Sequence, residues 1–160
     1  MALLCRIEGR DGLFCCMHTS RYDDGDEPFE DQWQRFLKYA ESERSVIAAG
    51  DFNVPAHIKG EGYDRITESG FSDLYTLSTE KIGYDHTVKG DIDGWRSTAP
   101  SPPQRIDFIL SSPSPKAKKI SYSTLFDGKR GEIVSDHLGI LVNIEGEIND
   151  NTEIMKRREW

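Results

Sequence analysis

The chain has 160 residues, of which 36% are hydrophobic and 30% charged, and its formal charge is −8. This composition indicates one globular domain with a core and excludes a disordered chain. There is no apolar run of the roughly 20 residues that a membrane span needs and no secretory signal in residues 1–7, so we expect a cytoplasmic protein without a membrane partner. The acidic balance lacks the basic footprint of a general nucleic-acid binder. The three cysteines are expected to be buried free thiols: Cys5, Cys15 and Cys16.

The first third of the chain is predicted to contain a hairpin, a helix and a strand. Leu3–Glu8 and Leu13–Met17 are β-prone runs, and the Asp-Gly sequence between them is a hairpin signal. Pro28–Ser42 has apolar and aromatic residues at helical spacing, with a proline near its first turn, which predicts an amphipathic helix. Ser45–Ala49 predicts a short buried strand that ends just before Gly50-Asp51.

The rest of the chain alternates short elements with one long loop. Tyr63–Ser69 predicts a second helix closed by a glycine, whereas Phe71–Leu77 is ambiguous. Asp85–Gln104 is rich in Gly, Pro, Asp and Ser and predicts a long loop. Further strands are predicted at Arg105–Leu110, Ile120–Leu125 and Leu138–Glu145. We expect one domain over residues 1–146 and a polar tail of low order over residues 147–160. Strands outnumber helices, and this predicts layered α and β structure.

A carboxylate and a carboxamide follow the first buried strand. Asp51 and Asn53 are separated by one residue, so their side chains are expected to point the same way. Oxygen ligands of this kind suit Mg²⁺ or Mn²⁺. Asp and Asn are also the ordinary residues of a turn after a strand.

Two further motifs contain an aspartate at or inside a predicted strand. Asp107 lies in an apolar strand and needs a charged partner, which is either an imidazolium or the neighbouring Arg105. Asp136 and His137 are adjacent at the entry to the last strand, where they could act as a metal ligand beside an acid/base group.

These three motifs, in this order and with His18 at the end of a strand upstream, resemble those of the endonuclease/exonuclease/phosphatase superfamily over roughly residues 3–145. The resemblance implies an α+β fold, the DNase I-like four-layer α/β/β/α sandwich, and a metal-dependent phosphoesterase. In that family an Asn-bearing strand and the Glu that is the principal metal ligand precede the histidine matched by His18. We therefore expect an N-terminally truncated domain, a poor enzyme by itself, with exposed sheet edges open to self-association.

The resemblance also implies roles for the matching residues. His137 matches the general base that activates water, Asp107 matches the carboxylate that orients it, and His18 matches the donor to a phosphoryl oxygen. The implied catalytic set is His18, Asp51, Asn53, Asp107 and His137. The implied ligands of Mg²⁺ or Mn²⁺ are Asp136, Asp51 and Asn53.

The segments between the motifs are similar to those of bacterial family members that act on sugar phosphates, in particular maltose 6'-phosphate phosphatases. This implies a small sugar phosphate as substrate, with nucleic acid less favoured. Tyr22 and Trp95 are candidates to stack on a sugar ring, and Arg96 is a candidate to hold a phosphate. Alternatively, Trp95 packs its loop onto the core and Arg96 is a solvated charge. A nuclease, a sphingomyelinase-type phosphodiesterase and an inactive interaction module are the other functions considered.

Overall fold

The computed structural model describes residues 1–8, 12–23, 25–90 and 102–147. The strands are β1 (Ala2–Cys5), β2 (Leu13–His18), β3 (Val46–Asp51), β4 (Ser72–Asp73), β5 (Glu80–Ile82), β6 (Asp107–Ser112), β7 (Lys116–Leu125) and β8 (Gly139–Glu147). The helices are α1 (Phe29–Ala40), α2 (Gly62–Glu68) and α3 (Leu74–Leu77).

The strands form two sheets. Five strands lie in the order β1-β2-β3-β6-β4, and three lie in the order β5-β7-β8. The β1–β2 pair is antiparallel, which confirms the predicted hairpin, whereas β2 and β3 run parallel. Strand β6 is antiparallel to β3 and also contacts β8 of the smaller sheet. Two sheets with few helices are the α+β, DNase I-like fold that the sequence predicted.

The core lies between α1, α2 and one face of the five-stranded sheet. Helix α1 places apolar residues at intervals of three and four, and its central Trp33 is fully buried. The Trp33 ring contacts Phe52 edge-on, with the ring centroids 6.1 Å apart, and Phe52 in turn contacts Phe108 of β6 at 5.6 Å. Phe52 directly follows Asp51, so this aromatic packing fixes the end of β3.

Some predicted elements differ from those in the structure. The ambiguous segment 71–77 contains both β4 and α3, because Asp73 ends the strand and its carboxylate accepts the N–H of Tyr75 at 2.9 Å, which caps the helix. Strand β7 begins four residues before the predicted Ile120, because Lys116 pairs with the far end of β8. Strand β5 was not predicted, since all three of its residues are exposed and show no alternation.

The cysteines are free, but only Cys15 is buried, whereas Cys5 and Cys16 are exposed. The expectation of buried thiols is therefore wrong for two of the three. Cys16 faces the opposite side of the sheet from its neighbour Cys15 in β2, and Cys5 lies on the edge strand β1, whose residues are all exposed. No helix in the described part of the chain is long and apolar enough to cross a membrane. The predicted tail lies, from residue 148 onward, outside the described residues.

Candidate active site

Three of the predicted site residues lie in one row across the five-stranded sheet. His18, the last residue of β2, is the register partner of Asp51, the last residue of β3. Asp51 is also the register partner of Asp107, the first residue of β6. Because β2 and β3 are parallel and β6 runs the other way, two strand ends and one strand start meet at the same edge of the sheet. Strand pairing alone therefore brings the three side chains together.

The chain around Asp51 has the backbone conformation that this arrangement needs. Gly50 has a φ of +140°, and a Cβ atom there would lie 1.9 Å from the carbonyl oxygen of Met17, so the position requires glycine. Asn53 has a φ of +51°, a conformation that asparagine tolerates well. The N–H of Asn53 donates to Asp51 Oδ1 at 2.8 Å, and its Nδ2 donates to the carbonyl oxygen of Thr19 at 2.8 Å. These bonds fix the side chain of Asn53 and leave its carboxamide oxygen as the atom that can bind a metal ion or a substrate.

His137 and Asp107 form a hydrogen-bonded pair. His137 Nδ1 lies 2.9 Å from Asp107 Oδ2 and 3.1 Å from Oδ1. The hydrogen bond and charge of Asp107 raise the pKa of His137, and the carboxylates of Asp51 and Asp136 act in the same direction, while burial opposes them. With Nδ1 donating to Asp107, Nε2 is the nitrogen left to exchange a proton with a substrate or water. The pair therefore has the arrangement of a general base and the group that orients it.

The alternative partner for Asp107 is excluded by the structure. Arg105 points away from it and binds Asp73, with Nη1 2.5 Å from Asp73 Oδ2. Both of these side chains are buried, so this ion pair belongs to the interior of the domain. Asp107 also stands at the first position of β6 rather than inside a strand, because β6 begins two residues later than predicted.

A cavity of about 850 Å³ lies over this edge of the sheet. Among the predicted site residues, those that line the cavity are His18, Tyr22, Asp51, Asn53, Asp136 and His137. Asp107 joins this group through its bonds to His137. Trp95 and Arg96 lie outside the described residues. The structure thus brings together the residues of all three motifs and His18. Of the three predicted substrate contacts, Tyr22 lies at this cavity.

The oxygen atoms of the site fit a hard divalent cation. Asp51, Asp107 and His137 each place one possible ligand atom within 4.8 Å of the others. Burial raises the pKa of Asp51, and the nearby Asp107 adds to this, although the N–H of Asn53 opposes it. Two adjacent carboxylates with little solvent favour the binding of a cation that offsets their charge. Since Asp107 is engaged by His137, the oxygens of Asp51 and Asn53 are the better candidates for ligands, and Asp136 lines the same cavity.

Sequence reasoning did not identify the roles of two buried residues near the start of β6, Thr87 and Arg105. Thr87 is fully buried and hydrogen-bonds the backbone at Asp107, while Arg105 binds the interior Asp73. Neither role has a local signal, because one residue acts through backbone groups and the other through a partner 32 residues away in the chain.

The sequence profile of the endonuclease/exonuclease/phosphatase family matches residues 2–137. The chain therefore belongs to the endonuclease/exonuclease/phosphatase family, whose members hydrolyse phosphate esters. No curated protein matches the chain significantly in sequence.

Solved structures with the same fold include proteins with different activities. An endonuclease/exonuclease/phosphatase family protein from Leptotrichia buccalis is 31% identical, with a TM-score of 0.70 over 91% of this chain and 53% of that one. A mannosyl-6-phosphatase from Bacteroides thetaiotaomicron is 22% identical, with a TM-score of 0.58 over 87% and 53%. A 3' phosphatase from Neisseria, bound to a product DNA hairpin, is 16% identical, with a TM-score of 0.62 over 91% and 65%. At these identities the last two show the fold alone. The chain spans about half the length of the first structures that it matches.

Proposed function

We propose that this chain is the part of a metal-dependent phosphoesterase that contains its general base, and that the enzyme hydrolyses phosphate monoesters of small sugars. The observation that carries the proposal is the contact of 2.9 Å between His137 Nδ1 and Asp107 Oδ2 at the edge of the cavity. A partly buried carboxylate that accepts from Nδ1, as Asp107 does, holds the imidazole in the tautomer whose Nε2 can remove a proton from water.

The other residues act on the phosphate and on the attacking water. In our proposal, Asp51 and Asn53 orient the water and one phosphate oxygen, because their side chains are fixed by the turn after β3. His18, whose side chain is 70% exposed and whose Nε2 lies 3.8 Å from Asp51 Oδ2, would donate to a phosphoryl oxygen. Bound Mg²⁺ or Mn²⁺ supplies charge neutralisation at the phosphate, and Asp136, Asp51 and Asn53 are the residues that would hold it.

Three features support a small sugar phosphate as the substrate. The net charge of −8 disfavours a long polyanion such as DNA. The cavity of about 850 Å³ is large enough for a sugar phosphate, and Tyr22 on its wall offers a ring on which a sugar can stack. The mannosyl-6-phosphatase from Bacteroides thetaiotaomicron shows that this fold is used for such chemistry.

Phosphate release from sugar 6-phosphates, measured beside the cleavage of plasmid DNA with Mg²⁺ or Mn²⁺ present, tests the proposal. Because the chain spans about half of the matched structures, the assay includes an N-terminally extended form where the gene encodes one. We expect release from the sugar phosphates, lowered about 10²–10⁴-fold by His137→Gln. His57→Gln is the matched control, because His57 is exposed and does not line the cavity. Cleavage of DNA without phosphatase activity would overturn the substrate class, and full activity of His137→Gln would overturn the role of the pair.

A further inference from the structure

Thr87 connects the backbone segments that carry Asp107 and His137. It is fully buried and lies between β5 and β6. Its Oγ1 accepts the N–H of Ile106 and the N–H of Asp107, each at 3.1 Å. Its carbonyl oxygen accepts the N–H of Leu138, the residue after His137, at 2.7 Å. One residue thus holds the chain at both members of the pair.

The next residue, Val88, reinforces this connection. It is fully buried and forms an antiparallel bridge to His137 on one side and to Gln104 on the other. The N–H of Thr87 also donates to the carbonyl oxygen of Gln104 at 2.8 Å. The segment 87–88 is therefore a short backbone link between the start of β6 and the start of β8, although it lies in what the sequence predicted as a loop.

We propose that Thr87 is a positioning residue for the Asp107–His137 pair. Its hydroxyl fixes the backbone of Asp107, and its carbonyl fixes the backbone next to His137, so that the carboxylate and the imidazole meet at hydrogen-bond distance. An effect of Thr87 on catalysis rests on the proposed function, whereas its effect on the hydrogen bond between Asp107 and His137 can be tested without any measurement of activity.

The chemistry of a hydroxyl explains why threonine suits the position. A hydroxyl oxygen has two acceptor lone pairs, and the two backbone N–H groups use both. Valine has nearly the same shape but no acceptor, so both N–H groups would lose this partner in the interior. The chain at Asp107 would then shift, and a misplacement of about 1 Å can lower the rate of a catalysed step about a hundredfold.

Thr124 on β7 provides a matched control. It is fully buried like Thr87, and its Oγ1 accepts the N–H of Tyr84 at 2.9 Å. Arg130 also donates to this oxygen, at 3.3 Å, and Thr124 does not line the cavity. Thr124→Val therefore removes a buried hydroxyl acceptor of the same kind, away from the pair.

The nitrogen chemical shifts of the His137 ring test the proposal in the 160-residue chain, with a chelator present and the ring kept neutral. We expect the tautomer with the proton on Nδ1 to dominate in the unaltered chain and in Thr87→Ser. In Thr87→Val we expect its share to fall at least twofold, and in Thr124→Val to stay unchanged. The proposal would be overturned if folded Thr87→Val kept the same fraction of the Nδ1-protonated tautomer as the unaltered chain. It would also be overturned if that fraction fell as much in Thr124→Val as in Thr87→Val. Because no turnover is measured, a failure of the proposed phosphatase activity leaves this result intact.

A second measurement decides the matter if Thr87→Val does not fold. In the unaltered chain the amide hydrogens of Ile106 and Asp107 should exchange with water at least tenfold more slowly than those of the exposed Ile133 and Val134. Thr87→Ser should keep this protection, because its hydroxyl provides the same acceptor. Exchange of the Asp107 amide as fast as that of the exposed residues would show that Thr87 does not hold it.

Discussion

Replacing Asp73 with asparagine should strongly destabilise the fold, because it removes the charge that compensates Arg105 in the interior. The two side chains are only 1% and 9% exposed, and Arg105 Nη1 lies 2.5 Å from Asp73 Oδ2. The same carboxylate oxygen accepts the hydroxyl of Tyr63 at 2.8 Å, so the change weakens two bonds. Breaking a buried ion pair by removing one partner costs about 3–5 kcal/mol, compared with about 0–1 kcal/mol for an exposed pair. The guanidinium lies 4.4 Å from the ring centre of Tyr75, and this contact remains, so we expect the lower end of that range.

Urea unfolding of the variants at neutral pH measures this cost. Glu80→Gln is the control, because it breaks the Lys119–Glu80 pair, which has a similar distance of 2.7 Å but is about half exposed on both sides. Combining Asp73→Asn with Arg105→Met should recover part of the loss, since no unpaired charge is then buried. If Asp73→Asn cost no more than Glu80→Gln, the ion pair would not stabilise the interior and this reasoning would be refuted.

Three further substitutions are predicted to change the free energy of unfolding, measured by denaturant titration. Asp51→Asn should stabilise the chain at neutral pH, because burial raises the pKa of Asp51 and folding then disfavours its charged form. This gain in stability should vanish as the pH falls below the ordinary carboxyl pKa, where Asp51 is protonated in both the folded and the unfolded state. A gain that does not depend on pH would contradict this prediction, and so would an equal gain in Asp136→Asn, which changes an exposed carboxylate. Trp33→Ala should cost about 3–5 kcal/mol, because the ring is fully buried, and a cost below about 1 kcal/mol would refute this packing role. Gly50→Ala should lower the free energy of unfolding more than Gly60→Ala does. Both glycines have positive φ angles, but only at Gly50 would the new Cβ atom meet backbone atoms. Equal losses in the two variants would exclude this steric clash.

The sequence could predict where the candidate site residues lie because they stand at or near strand ends. A strand that runs into Asp51 and Asn53, and another that begins near Asp107, show in the local pattern of apolar and polar residues. The resemblance of the motifs and their order to the family then implied that these residues meet. Their convergence at one edge needed only the pairing of β2, β3 and β6.

The features that the sequence did not reveal depend on partners rather than on patterns. Arg105 could have bound Asp107, its close neighbour, but it binds Asp73, which no local rule selects. Thr87 stood among the polar residues of a predicted loop, and its hydroxyl bonds only to backbone groups, which are present at every residue. Long-range pairing of this kind becomes visible only when the chain is folded.

The row of His18, Asp51 and Asp107 ties the site to the completion of folding. The β7–β8 hairpin can form from neighbouring segments, but the row requires β2, β3 and β6 to meet from distant parts of the sequence, which is slow because long loops must close first. A slip of β3 by one residue would turn Asp51 to the opposite face of the sheet. Chains that are compact but misregistered would therefore keep their secondary structure and lose the site. A titration that follows the raised pKa of His137 would accordingly count the correctly registered molecules, which circular dichroism cannot separate from misregistered ones.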